Sequence, residues 1–230
     1  MITNALLITG TDTDAGKTVL MTALIAYWQK YCRSRALGVM KPLQTGVGDR
    51  ELYQQLFDLD QTLEQINPLH FNAPLAPPIA AALEGKPVNL ETLWTTFETL
   101  RSQRDFVLVE ALGGLGSPVT HETTVADWAF DWQLPTVLVV PVKLGAIGQA
   151  VANVALARQT NVPLKGMVLS CVRSTSAEEI ENWASVNLIQ RLTGIPVFGI
   201  IPYLSDPTDI EKLAQAAANL DLERIIPGMV

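Results

Sequence analysis

The amino-acid sequence predicts an α/β fold, a mostly parallel sheet with helices on both faces. Three observations carry that expectation. Short runs of nearly continuous apolar residues recur along the chain, which is how strands buried on both faces read. Longer stretches with helical spacing separate them. And 230 residues that are 48% apolar and only 17% charged are enough to bury a sizeable core.

The first run, Ala5 to Thr9, is a buried strand; the segment from Met1 to Gly10 lacks a basic start and reads as that strand, not as a signal peptide. Lys17 to Arg33 follows as a helix, with Leu20, Leu24 and Trp28 repeating every four residues. Leu37 to Met40 is a second strand, Phe106 to Val109 a third, Val137 to Val140 a fourth, Gly166 to Leu169 a fifth and Val197 to Ile201 a sixth. Helical patterns lie near 90–102, 123–131, 146–159 and 176–192. Asn67 to Pro87 carries four prolines before Lys86 and reads as an insertion of loop and short helix, lid-like, over one edge of the sheet. No repeat, low-complexity tract or Gly/Ser linker divides the chain, so 1–230 reads as one domain.

Composition removes several classes of function. A net charge of −7 with no local basic cluster argues against nucleic acid as a partner. The chain is too apolar for disorder and too irregular for collagen or a coiled coil. Its most apolar runs, Val137 to Val142 and Val197 to Ile201, fall far short of the ~18 residues of a membrane span. Cys32 and Cys171 stand far apart in apolar stretches, as reduced core thiols of a cytoplasmic protein do, and no Cys/His spacing suggests zinc. His70 and His121 accompany no nucleophile motif and read as non-catalytic; the five tryptophans read as packing residues.

Between the first strand and the first helix stands Gly10-Thr11-Asp12-Thr13-Asp14-Ala15-Gly16-Lys17-Thr18. Strand, loop, helix is the setting of a phosphate-binding loop, and it sharpens the fold class to a P-loop NTPase-like sheet. Backbone N–H groups of such a loop point at phosphates, Gly16 permits close approach, Lys17 supplies a point charge and the Thr18 hydroxyl ligates Mg²⁺. The strict pattern requires glycine where Thr11 stands; here the glycine comes one residue early, at Gly10.

Further candidates lie at the carboxyl ends of the other strands, where open α/β sheets bind ligands. Lys41, in Met40-Lys41-Pro42-Leu43-Gln44-Thr45-Gly46, supplies a second cation for phosphate charge. Glu110 follows four apolar residues of the third strand and precedes Gly113 and Gly114; a carboxylate so placed needs a cation, and the Walker-B position of a P-loop enzyme supplies it as Mg²⁺. Asp49 is a third candidate for the metal, or equally a helix N-cap, and Asp12 and Asp14 can serve merely to shape the loop. Gly145-Ala146-Ile147-Gly148-Gln149 opens the helix after the fourth strand, and that N-terminus can accept an anion or act only as a flexible cap.

Together these segments resemble the dethiobiotin synthetase family from Leu7 to about Pro207. Gly-Thr-Asp-Thr-Xaa-Xaa-Gly-Lys-Thr is that family's own phosphate loop, early glycine included. Lys41-Pro42 with Thr45-Gly46, Val107 to Gly114 and Val139 to Gln149 match three more of its motifs in order.

The resemblance implies an ATP- and Mg²⁺-dependent ligase that carboxylates 7,8-diaminopelargonic acid with CO₂ and closes the ureido ring, by way of a carbamate and a carbamic–phosphoric anhydride. It implies catalytic roles for Lys17 and Lys41, and Mg²⁺ on Thr18, Asp49 and Glu110. Nucleotide contacts fall to Thr13, Asp14, Ala15, Gly16, Gly113, Ser170, Pro202, Tyr203 and Asp206. Thr13, Lys41 and Thr45 match positions at the substrate amines or carbamate, and Gly145, Ala146, Ile147 and Gly148 hold the substrate carboxylate in a homodimer.

Two positions depart from the family pattern: Glu110-Ala111-Leu112-Gly113-Gly114 stands for Glu-Gly-Ala-Gly-Gly, and Ser170 replaces an asparagine that reads the base. The alternative reading is a switch ATPase of the kind that positions plasmids or division sites. Those proteins carry an extra lysine early in the loop, and residues 10 to 15 contain none.

Overall fold

The computed structural model describes residues 4–228. Met1 to Thr3 and the last two residues of the tail expected from Leu222 to Val230 lie outside the described residues. In chain order the elements are β1 (Ala5–Gly10), α1 (Lys17–Tyr31), β2 (Leu37–Met40), β3 (Leu43–Thr45), α2 (Asp49–Leu56), α3 (Leu63–Ile66), β4 (Leu69–Phe71), α4 (Pro77–Glu84), α5 (Leu90–Gln103), β5 (Phe106–Gly114), α6 (Val125–Asp131), β6 (Thr136–Pro141), α7 (Ala146–Gln159), β7 (Leu164–Ser170), α8 (Ala177–Ala184), α9 (Val186–Thr193), β8 (Val197–Ile201), α10 (Ile210–Ala218) and α11 (Leu222–Ile225).

Six strands form one sheet in the order β2-β5-β1-β6-β7-β8, every neighbour parallel. The continuous apolar runs follow from burial on both faces. In β1, Leu6 and Ile8 enter the core shared with α1 and α10, whereas Ala5 and Leu7 enter the core shared with α5 and α6. Alternate side chains of one strand thus serve two layers. A third cluster packs β6 and β7 against α7 and α9. The sheet is the mostly parallel, helix-covered sheet expected, and all six expected strands are present.

The departures are local. The third expected strand runs on to Gly114, so Glu110 lies inside it. The helical pattern over 176–192 breaks into α8 and α9 at Ser185, whose extended backbone (φ −49°, ψ 116°) ends one helix and starts the next. The loop after β2 contains β3, which pairs in parallel with β4. Three-residue strands are too short to show periodicity, so both are invisible to pattern reading. The proline-rich insertion holds β4 and α4, with Pro77 and Pro78 in the first turn of the helix, where a missing N–H costs nothing. It sends Leu69, Phe71 and Ala80 into the core beside Val107 and Val109. The cysteines are buried, and Trp128 stacks on Trp132 in an aromatic group with Trp94 and Phe97.

Candidate functional site

The phosphate-loop candidate sits at the carboxyl end of β1, a central strand. It is anchored where Thr11 N donates to Val139 O of β6 at 2.9 Å. Asp14 adopts φ +55° and Gly16 φ +93°. Gly16 caps α1 without a side-chain hydrogen bond, and no acidic residue stands in the first turn. The helix therefore presents unsatisfied N–H groups and an uncompensated positive dipole end, a ready anion site. Lys17 is buried, its Nζ 3.2 Å from Asp12 O; burial holds its pKa below the ordinary lysine value. Gly114 explains a glycine of the third strand. A Cβ there would meet Gly10 O at 2.9 Å, so β5 can run against the loop only without a side chain. Asp12 shapes the loop, accepting from Thr13 N at 2.8 Å and facing Lys143 at 3.4 Å.

Four elements converge beside this loop. Lys41 follows β2, Thr18 lies in the first turn of α1, Asp49 is the first residue of α2, and Glu110 is mid-strand in β5. Lys41 Nζ lies 2.6 Å from Asp49 Oδ2, 3.2 Å from Glu110 Oε1 and 3.3 Å from Ala111 O. Lys41 is 4% exposed and Glu110 is not exposed at all. Thr18 Oγ1 is 2.9 Å from both Asp49 Oδ1 and Glu110 Oε1. The Tyr53 hydroxyl donates to Glu110 Oε2.

The electrostatics follow from these contacts. Burial opposes the charge of Lys41, but the Glu110 and Asp49 carboxylates outweigh it and hold the pKa above the ordinary value. Burial pushes Asp49 up, yet the lysine and the Thr18 hydroxyl bring it below its ordinary value. Glu110, wholly desolvated and beside Asp49, is held above its own despite Lys41. Burial first, then Glu110, keeps the Tyr53 phenol protonated well above the usual range.

The donor set has a defect that a cation would repair. A hydroxyl has one proton, so Thr18 can donate to only one of the two carboxylate oxygens it touches. Among the described residues no three His, Cys, Asp or Glu side chains stand together to hold a metal. Two carboxylates and a hydroxyl are too few oxygens for a protein-only cage. They suit Mg²⁺, which keeps waters and takes phosphate oxygens.

Asp49 is not the N-cap; Gly48 is. The turn before α2 is held by Glu51, which accepts from Gly48 N and Gln44 Nε2, each at 2.9 Å, and meets Arg50 Nε at 2.6 Å. Those partners outweigh its partial burial and draw the Glu51 carboxyl down to about 2.

The cluster opens into a cleft of about 880 Å³. Of the candidates, Thr13, Asp14, Gly16, Lys17, Thr18, Lys41, Thr45, Asp49, Glu110, Gly113, Ser170, Pro202 and Tyr203 line it. Ala15, within the loop, is buried in the core shared with α1. Asp206 does not line the cleft, although Ser205 and Pro207 do; its carboxylate accepts from Thr208 N at 2.9 Å and Oγ1 at 2.6 Å. Gly145, Ala146, Ile147 and Gly148 also stand outside the lining, at the start of α7, where Gly145 and Gly148 are exposed beside Leu144 and Ala146 is buried in the core under α7.

The cleft includes residues that sequence reading missed. Gln44, Pro74 to Pro77 and Ser117 border it. Tyr53 had one available signal: it stands four residues after Asp49, on the same face of a helix.

A family model described as an AAA domain matches residues 4–211. The chain is 60% identical over 223 residues to the ATP-dependent dethiobiotin synthetase of Gloeothece citriformis, covering 97% of this chain and 99% of the relative. It is 52% identical to the enzyme of that name from Synechocystis (96% and 94% covered) and 30% identical to that of Bacillus subtilis strain 168 (95% and 96%). Among solved structures it resembles a ParA family ATPase from Chlorobium tepidum, with TM-score 0.57, 13% identity and 97% and 95% of the two chains covered. The MinD cell division protein of Aquifex aeolicus follows, with TM-score 0.54, 15% identity and 96% and 93% covered. At such identities these two likenesses concern the fold alone.

Proposed function

Because this chain belongs to the ATP-dependent dethiobiotin synthetase family and carries an AAA domain over residues 4–211, we propose that it converts 7,8-diaminopelargonic acid, CO₂ and ATP into dethiobiotin, ADP and phosphate. It is an ATP-dependent ligase forming carbon–nitrogen bonds. The observation that carries the detailed reading is the convergence of Lys17, Lys41, Thr18, Asp49 and Glu110 on one cleft at the carboxyl end of the sheet.

One amine of the substrate takes up CO₂ and loses a proton, giving a carbamate. A carbamate oxygen attacks the γ-phosphorus and ADP departs, leaving a carbamic–phosphoric anhydride. The second amine attacks the anhydride carbonyl and loses a proton, the C–O bond to phosphate breaks, the ring closes and phosphate leaves carrying or releasing that proton. Such chemistry asks for positioning and charge neutralisation, not for a side-chain nucleophile. Lys17, with Thr13, Asp14, Ala15, Gly16 and the N–H groups of the first turn of α1, cradles the phosphates. Lys41, held rigid by two carboxylates, faces the γ-phosphate and the carbamate. Thr13 and Thr45 orient the amines and carbamate. Thr18, Asp49 and Glu110 would hold Mg²⁺, which supplies neutralising charge to the phosphate oxygens. Gly113, Ser170, Pro202 and Tyr203 belong to the nucleoside side of the site, which Asp206 does not line.

The start of α7 does not line the cleft of its own chain. This supports a homodimer in which Gly145 to Gly148 of one copy meet the substrate carboxylate bound by the other. No described helix is long and apolar enough to cross a membrane. The same reading places the enzyme in the cytoplasm and takes residues 1–230 as one domain. The test is phosphate release with ATP, Mg²⁺, bicarbonate and the diamine, each omitted in turn. Release that is independent of the diamine would point instead to the switch-ATPase reading.

A further inference from the structure

We propose that Tyr53 is a positioning residue for the cation site: its hydroxyl holds Glu110 Oε2, so that Oε1 stays turned toward Thr18, Lys41 and the metal. The inference rests on the reading of Thr18, Asp49 and Glu110 as the cation's donors.

Glu110 is fully buried, and its two oxygens have different surroundings. Oε1 meets Thr18 Oγ1 at 2.9 Å and Lys41 Nζ at 3.2 Å; Oε2 receives the Tyr53 hydroxyl. Without that hydroxyl, Oε2 has lost a donor in a place that water does not reach, and the carboxyl can gain a partner only by turning. Turning moves Oε1 off Thr18 and Lys41.

Tyr53 is well suited to prevent this. Its ring is fully buried in the core cluster shared by α1 and the sheet, so the hydroxyl cannot swing away. It also stands one helical turn after Asp49 on α2. A single helix therefore brings one carboxylate to Thr18 and a clamp for the other. The contacts of Thr18 with Asp49 and Glu110 and the hydrogen bond from Tyr53 to Glu110 link α1, α2 and β5 into a closed circuit. Partners of ligating carboxylates typically govern metal affinity in this way.

The experiment titrates the full chain with a non-hydrolysable ATP analogue, with and without Mg²⁺, in wild type, Y53F, E110Q and Y53F/E110Q. Y53F should bind the metal-free analogue within about twofold of wild type while its Mg²⁺ affinity falls roughly tenfold or more. In the E110Q background, loss of the hydroxyl should change Mg²⁺ affinity by less than about twofold. Equal losses with and without metal, an unchanged Mg²⁺ affinity, or a full extra effect in the E110Q background would each overturn the proposal. If Y53F does not fold by circular dichroism, Y53M, which fills much of the ring's volume but offers no O–H, takes its place; failure of both to fold leaves Tyr53 a packing residue and also overturns it. A wild type that binds the analogue equally well with and without Mg²⁺ would sink the reading of the metal donors themselves, a result distinct from a metal-dependent wild type matched by Y53F.

Discussion

Lys41 Nζ lies 2.6 Å from Asp49 Oδ2, an ion pair that ties the end of β2 to the first residue of α2 and is almost closed to solvent on the lysine side. Removing one partner of a buried pair leaves the other charge uncompensated, at about 3–5 kcal/mol. From sequence alone, alanine at Lys41 or at Lys17 is expected to cost activity and spare the fold. The structure separates them. Among the described residues Lys17 Nζ makes one hydrogen bond, to the Asp12 carbonyl at 3.2 Å, a contact worth about 1 kcal/mol; burial disfavours its charge, and Glu110, Asp49 and Asp14 oppose that only through space. Both K17A and K41A should release phosphate at less than about a tenth of the wild-type rate. Only K41A should also lose several kcal/mol in urea denaturation, because Glu110 then lacks its cation. Equal stability of the two variants would refute this account.

Acid should act through Glu51. Its folded pKa, about 2, lies below the ordinary 4.5, drawn down by Arg50, Gly48 N and Gln44 against partial burial. A depressed carboxylate contributes stability that is complete above its unfolded pKa and is lost as pH falls toward the folded value. In metal-free buffer, E51Q should therefore narrow its stability deficit against wild type between pH 4.5 and 2. Denaturant midpoints across that range are the measurement; a deficit independent of pH would show that the carboxylate charge contributes nothing.

Gly16 cannot be exchanged. Its φ of +93° strains any L side chain, and a Cβ would come within 2.2 Å of Ser170 Oγ. The conformational part alone costs about 1–2 kcal/mol. G16A should lose nucleotide binding and stability together. G16A/S170G should recover part of the stability, since the second change removes the clash and leaves the strain. Wild-type nucleotide affinity in G16A, by calorimetry, would show that the loop does not approach phosphate closely.

Ser170 is buried at the end of β7, against Gly16 and within the cleft. A hydroxyl makes one neutral hydrogen bond, worth about 1 kcal/mol net, where an amide offers a paired donor and acceptor. The enzyme should use other nucleoside triphosphates within roughly tenfold of ATP in kcat/KM. S170N should sharpen the preference, its amide directed away from Gly16 for want of room. A hundredfold preference for ATP in the wild type would move base reading to Pro202 and Tyr203.

What the sequence by itself determined is what contiguous residues encode. The phosphate loop from Gly10 to Thr18 lies within one strand-loop-helix unit, and each strand of the main sheet is a run whose two faces are both apolar. Local pattern and local chemistry agree there, so Lys17 and Thr18 could be placed at the start of a helix and Lys41 after a strand, whereas Glu110, expected to end its strand, lies inside one that runs on to Gly114. Tertiary structure decided how they meet. Thr18 touches Asp49 across 31 positions and Glu110 across 92, and no periodicity carries such distances. It assigned Asp49 to the cluster and the N-cap to Gly48, brought in Tyr53, and left Asp206 and the start of α7 off the cleft. It paired β3 with β4, each too short to be read as a strand alone. The physical reason is the same throughout. A strand or loop is specified by its own residues, whereas a buried charge is specified by whichever opposite charge the packed sheet and helices bring within about 3 Å of it.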